Sequence, residues 1–164
     1  MRMHAALLSL SFALAAPAFG GDVVRHKIPN STFPISAAVE VPADSTLVFL
    51  SGVVPPVADT SASKDSPQAY GDTKTQTVGV LRSIEKQLKD MGLSMGDVVK
   101  MQVFLVGDPA KGGKMDFAGF MAGYTQFFGT PTQPNLPSRS AMQVAALASP
   151  AFLVEIEVTA VRPK

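Results

Sequence analysis

The 164-residue chain contains no cysteine. That excludes disulfides, thiolate metal centres and a cysteine nucleophile. Histidine is nearly as scarce, with only His4 and His26. His4 lies in the leading segment and His26 in a stretch that reads as frayed N-terminus. Histidine-based metal sites and Ser-His-Asp triads therefore lack material. Acid–base chemistry must come from carboxylates, tyrosine, lysine or water. Basic clusters are also missing, so the chain shows no electrostatic footprint for nucleic acid. After residue 20 no segment is apolar enough to span a membrane.

The leading segment "MRMHAALLSLSFALAAPAFG" has a basic start at Arg2, an apolar run from Ala5 to Ala16, and small residues at Ala16, Ala18 and Gly20. This is the pattern of a secretory signal peptide over residues 1–20, with cleavage after Ala18 or Gly20. Residues 21–164 then form a single domain. Removing Arg2 takes the formal net charge from +1 to 0. The expected product is soluble, periplasmic or secreted, and without disulfides it must be stable through packing alone.

Hydrophobic residues make up 46% of the chain, enough for a real core. Val39–Val41 and Leu47–Leu50 are short apolar runs around the turn sequence "PADS", and predict a β-hairpin ending at Ser51–Gly52. From Pro55 to Thr75 the composition is that of a long loop. Val78, Leu81, Ile84, Leu88 and Met91 then recur at helical spacing, with Gly92 as a stop. Val98–Val106 predicts a strand. Phe117, Phe120, Met121, Tyr124, Phe127 and Phe128 form the apolar stripe of a second helix, read as core. Strands are expected over Arg139–Leu147 and Phe152–Arg162. The order β-β-α-β-α-β-β predicts an α+β, two-layer fold with both helices on one face of the sheet. Phe104, and Val154, Ile156 or Val158, would then sit on the uncovered face, which association with other subunits would bury.

Three features could carry chemistry. Arg139, in "LPSRS", follows a proline-fixed turn. It is either an exposed cation with a buried stem or a fork for binding a carboxylate. Glu155 and Glu157, in "LVEIEV", share one strand face. They are either an ordinary wet face or, in a cleft, a means to orient water or move protons. Ser51–Gly52 would let a ligand approach the backbone closely. If the last two strands form a hairpin, Arg139 and Glu155 lie roughly 20 Å apart, so a site using both draws them from different subunits.

"LPSRSAMQVAAL" with "VEIEVTAV", "FLSG" followed by Pro55, "QTVGVLRSIEKQL" through "MGLSMGDVVKMQVFL", and "DFAGFMAGYTQFF" together resemble the RidA/YjgF family of reactive-intermediate (imine) deaminases. The resemblance runs from about Phe33 to Val161. It implies a chorismate-mutase-like fold with a mixed sheet and a homotrimer with ligand clefts between subunits. It also implies hydrolysis of small imino acids of the 2-aminoacrylate type to a 2-keto acid and ammonia, with no metal and no organic cofactor. In that frame Arg139 clamps the substrate carboxylate and Glu155 positions or activates water. Ser51 and Gly52 line the pocket, and the backbone of Ala141 stands where the family often has cysteine. Ile35 replaces the family's tyrosine, Met121 its asparagine and Val53 its glutamine, which makes the pocket greasier. The alternative is a non-catalytic trimer that binds small carboxylates or acts as a chaperone-like protein of the cell envelope. An RNA-cleaving activity, sometimes attributed to the family, is opposed by the neutral charge.

Overall fold

The computed structural model describes residues 22–162. The expected leader, residues 1–20, lies outside the described residues. Six strands and two helices follow in order: β1 (Val24–Lys27), β2 (Ser36–Glu40), β3 (Thr46–Val53), α1 (Thr73–Asp90), β4 (Val98–Val106), α2 (Phe117–Tyr124), β5 (Ser138–Val144) and β6 (Val154–Arg162). They form one mixed sheet in the order β1-β2-β5-β4-β6-β3, covered by α1 and α2 on one face. This is the expected α+β architecture with one strand more.

Each helix starts on an aspartate. Asp72 Oδ1 accepts from the Thr75 amide at 2.8 Å and Asp116 Oδ1 from the Gly119 amide at 3.0 Å, satisfying donors the helices leave open. α1 buries Val80, Leu81, Ile84 and Leu88 on its inner stripe. Gly92 ends it at φ +72°, a left-handed turn that glycine adopts without cost. At Gly123 of α2, a side-chain carbon would come within 2.8 Å of Thr77 Cβ, so glycine permits the two helices to pack closely.

Beneath them Met101, Val103 and Leu105 of β4 alternate with Lys100, Gln102 and Phe104, which face away. Val154, Ile156 and Val158 of β6 also lie in the core. The expectation that they sit on the uncovered face is corrected: Glu155, Glu157 and Thr159 alternate with them and occupy that face. Its apolar members include Phe104, Met142 (40% exposed) and, from β3, Leu47 (43% exposed) and Phe49 (74% exposed).

Both expected hairpins are also corrected. β2 pairs with β1 and makes a single contact pair, Ser36 with Ser138, to β5, whereas β3 pairs with β6 at the far side of the sheet. A polar turn sequence sets where a chain reverses, not which strand it joins. β4 separates β5 from β6, running parallel to the first and antiparallel to the second. His26 is not frayed: it lies in β1, and its Nε2 is 2.7 Å from Glu40 Oε1 across the pair. Arg25 fastens β1–β2 to the loop ends by donating to the carbonyls of Val98 (2.9 Å), Leu136 (2.7 Å) and Gly96 (2.9 Å).

The long loop before α1 is tied down by one buried side chain. Gln76 Nε2 donates to the carbonyls of Gly71 and Ala151, both at 3.0 Å, and its Oε1 accepts from the Leu153 amide at 2.7 Å. Removing it strands three backbone groups. Gln76→Ala is expected to destabilise by about 3 kcal/mol, lowering Tm by roughly 10 °C in a calorimetric scan. Lys86→Ala, which removes the exposed Lys86–Asp90 pair, should leave Tm unchanged.

Candidate active site

Arg139 is the second residue of β5 and pairs with Met101, which is fully buried under the helices. Paired residues share a sheet face, so the guanidinium turns inward beneath α2. There it is ringed by aromatics. Its Cζ lies 4.3 Å from the ring centre of Tyr124, 4.9 Å from Phe120, 5.5 Å from Phe33 and 6.0 Å from Phe117. Aromatic faces attract a cation, most strongly away from water. Nη2 donates to Met121 Sδ at 3.3 Å, a weak acceptor. Nη1 is buried and has no hydrogen-bond partner among the described residues. No carboxylate among them forms an ion pair with Arg139. The guanidinium is half-buried with one buried N–H unmet, an arrangement suited to accept a carboxylate by a charge-assisted hydrogen bond.

Tyr124 closes the cage. Its hydroxyl donates to the Pro34 carbonyl at 2.9 Å and holds the Phe33–Ile35 segment over Arg139. The Ile35 amide donates to the Phe33 carbonyl at 2.8 Å, a tight bend that leaves Ile35 half-buried. Burial pushes the Tyr124 phenol up to about 12, against the opposing pull of the Arg139 cation. Burial also lowers the Arg139 pKa, with Tyr124 acting the other way. A guanidinium stays charged through such a shift. Ala141, two residues on from Arg139, is on the same face and packs against the core.

Ser51, Gly52 and Glu155 form a second group. The register of β3 slips between Leu50 and Val53, so Ser51 and Gly52 form a bulge beside β6. The Glu155 carboxylate lies against the bulge: a side-chain carbon on Gly52 would overlap its Oε1 and stand 2.9 Å from its Cδ. Next to it on the open face is a cavity of about 330 Å³ lined by Ser51, Lys100, Gln102 and Glu157. A larger groove of about 820 Å³ runs along the outer side of α1, but Asp72 on its wall is occupied in capping that helix.

The two groups do not meet in one chain. Arg139 shares a row with Met101 and Val158; Glu155 shares one with Phe104 and Met142. They are three residues along and two strands across from each other, about 14 Å at ordinary sheet spacings, and on opposite faces. The expected hairpin between the last two strands is absent, and the two side chains are nonetheless apart within one chain. Of the other expected lining residues, Met121 touches Arg139, while Val53 pairs with Ile156 and packs against the core, on the face opposite Glu155. The four rings around Arg139 were not singled out as site residues. Phe117, Phe120 and Tyr124 are legible as a stripe, whereas nothing local marks Phe33. Among the described residues no three His, Cys, Asp or Glu side chains gather as a metal site.

A family model described as Endoribonuclease L-PSP matches residues 26–162. The chain belongs to this family, the RidA/YjgF proteins. TdcF of Escherichia coli K12, named as a candidate reactive intermediate deaminase, is 32% identical over 140 residues, which covers 85% of this chain and 95% of TdcF. The crystal structure of E. coli TdcF with bound serine is 30% identical, with a TM-score of 0.54, covering 86% of this chain and 98% of that one. A Rid family protein of Yersinia pestis, YyfB, shares the fold with a TM-score of 0.63 at 24% identity, covering 86% and 98%.

In this RidA-family chain the tyrosine of the cage gives a direct spectroscopic check. The chain has two tyrosines, Tyr70 and Tyr124. Absorbance at 295 nm should show one phenol ionising late, near 12, and Tyr124→Phe should remove that step. Because the folded pKa lies above the ordinary 10, the linked stability is present below pH 10 and is lost as pH rises towards 12.

Proposed function

We propose that the protein hydrolyses small imino acids of the 2-aminoacrylate type to a 2-keto acid and ammonia, as a homotrimer with its sites between subunits. The observation that carries this is the Arg139 seat: a caged, half-buried guanidinium whose buried Nη1 lacks an acceptor among the described residues. A substrate carboxylate supplies that acceptor, and the relation to TdcF supports the chemistry. Arg139 and Glu155 lie on opposite faces of one sheet, so Glu155 of a second copy completes the cleft. The open face, with Phe49 74% exposed, supplies the surface for that association.

The enamine first tautomerises to the imine. Glu155 takes a proton from water as the water oxygen bonds to the imine carbon and the C=N pair moves to nitrogen. Glu155 returns that proton to the nitrogen, giving the neutral carbinolamine; the hydroxyl proton then passes through Glu155 to the nitrogen as the C–N bond breaks, the C=O bond forms and ammonia leaves. One water is consumed and one ammonia released, with no redox step.

Ammonia release from freshly generated 2-aminoacrylate should be faster with the protein than without it. Light scattering at micromolar concentration should give a trimer mass. No acceleration rejects the deaminase, and a monomer mass rejects the shared site. The thioether of Met121, a weak acceptor set against Arg139, favours a second reading, a carboxylate-binding or chaperone-like trimer of the cell envelope. A thermal shift with keto acids but no turnover would select it. In either case we propose that residues 1–20 direct export; a mature N-terminus at residue 19 or 21 in a periplasmic or secreted fraction tests this.

A further inference from the structure

We propose that Met121 is an oxidation site whose modification closes the anion seat of Arg139. The proposal rests on Arg139 being a carboxylate receptor. The chain has eight methionines and no cysteine, so methionine is its only oxidisable sulfur. Among the described residues Met95 and Met101 are buried in the core, and Met91 and Met142 stand at the surface, 37% and 40% exposed. Met115 and Met121 are half-buried. Only the Met121 sulfur accepts a hydrogen bond among the described residues, and its donor is Arg139 Nη2 at 3.3 Å.

A thioether is a weak acceptor, so it leaves Nη2 free to turn to a carboxylate. A peroxide changes that. The sulfur lone pair attacks the peroxide oxygen, the O–O bond breaks, sulfur is oxidised by two electrons, and the peroxide leaves as water. The sulfoxide oxygen is a strong, compact acceptor on an atom already in contact with the guanidinium. It takes Nη2 by a charge-assisted hydrogen bond. A carboxylate that bridged Nη1 and Nη2 is then left with Nη1 alone, beside a new oxygen that repels it.

The test treats full-length wild type and Met121→Leu with hydrogen peroxide. Leucine keeps the shape without the sulfur. Peptide mass spectrometry locates the sulfoxides, calorimetry follows pyruvate binding, and ¹⁵N NMR follows the Arg139 side-chain N–H signals. Expected are a sulfoxide at Met121, an affinity for pyruvate at least tenfold lower, and a shifted Arg139 signal. In Met121→Leu, treated and untreated protein should bind alike, although Met91 and Met142 oxidise. Full oxidation of Met91 and Met142 with Met121 intact overturns the proposal. So does a Met121 sulfoxide that moves neither the affinity nor the Arg139 signal. If untreated protein binds no carboxylate, the receptor role of Arg139 falls; the NMR signal then decides the sulfoxide contact by itself, its shift sustaining the contact and its absence overturning it.

Discussion

Replacing Arg139 with methionine is expected to abolish ammonia release and to leave Tm unchanged or higher. The two effects separate because the guanidinium is a liability to the fold. It is half-buried under α2, with one buried nitrogen unpartnered and no ion pair to a carboxylate among the described residues. Replacing such a charge by an apolar side chain of similar length is often neutral or stabilising. Methionine can also pack between Phe33, Phe120 and Tyr124, where sulfur–aromatic contacts are favourable. The substrate, in contrast, loses its only paired cation. Removing one partner of a desolvated, hydrogen-bonded charge pair costs several kcal/mol, so kcat/KM should fall by about 100-fold or more. Arg139→Lys should recover little of this, because a point charge on a flexible stem does not reproduce the planar fork. Steady-state assay and calorimetry on the same preparations check the prediction. A Tm loss matching that of Gln76→Ala would show instead that the aromatic cage holds the fold through Arg139.

That split between fold and function explains what was legible in the sequence. Elements with a strong period could be read. Val98–Val106 alternates cleanly and is β4 to the residue. Leu81, Ile84 and Leu88 of the expected stripe lie on the buried side of α1, with Val80 in place of the half-buried Val78, and the helix begins earlier, on the Asp72 cap. Strand partners could not be read, because pairing depends on contacts distant in sequence. β5 and β6 follow each other closely, yet β4 lies between them, since the crossover through α2 sets β5 parallel to β4. β1 is short and carries Arg25, His26 and Lys27, with no alternation to announce a strand. Its anchor is the set of three carbonyls around Arg25, contributed by residues more than seventy positions away.

The site was legible in the same uneven way. Arg139 stands out as a cation just inside a strand, after a proline-fixed turn. Its surroundings do not stand out, because Phe117, Phe120 and Tyr124 serve core and cage at once. Phe120 and Tyr124 are fully buried, as core residues are, and both present ring faces to the guanidinium. For Glu155 the alternation of "VEIEV" shows that Glu155 and Glu157 share a face opposite Val154, Ile156 and Val158. Which face the helices cover follows only from the sheet, which sets Glu155 and Arg139 on opposite faces and in different rows.

Gly52→Ala is expected to lower kcat by about 100-fold while leaving KM and Tm nearly unchanged. Gly52 sits in the β3 bulge with a backbone conformation open to alanine, and its surroundings are exposed. The obstacle is a single group: the new methyl would overlap Glu155 Oε1 and crowd its Cδ and Cγ at 2.9 and 3.2 Å. Because this is the end of a flexible side chain, it yields at little cost to the fold. It cannot yield without moving the carboxylate by an ångström or so, and displacement on that scale costs a general base roughly 100-fold. Glu155→Gln keeps the shape and removes the basic oxygen, with a loss of about 10² to 10⁴. If Gly52 acts only by placing Glu155, the two changes share one effect. The double variant should then be no slower than Glu155→Gln alone, a coupling that a double-mutant cycle measures directly. Multiplied losses would mean that the bulge serves the reaction through its own backbone, as a surface on which the ligand rests.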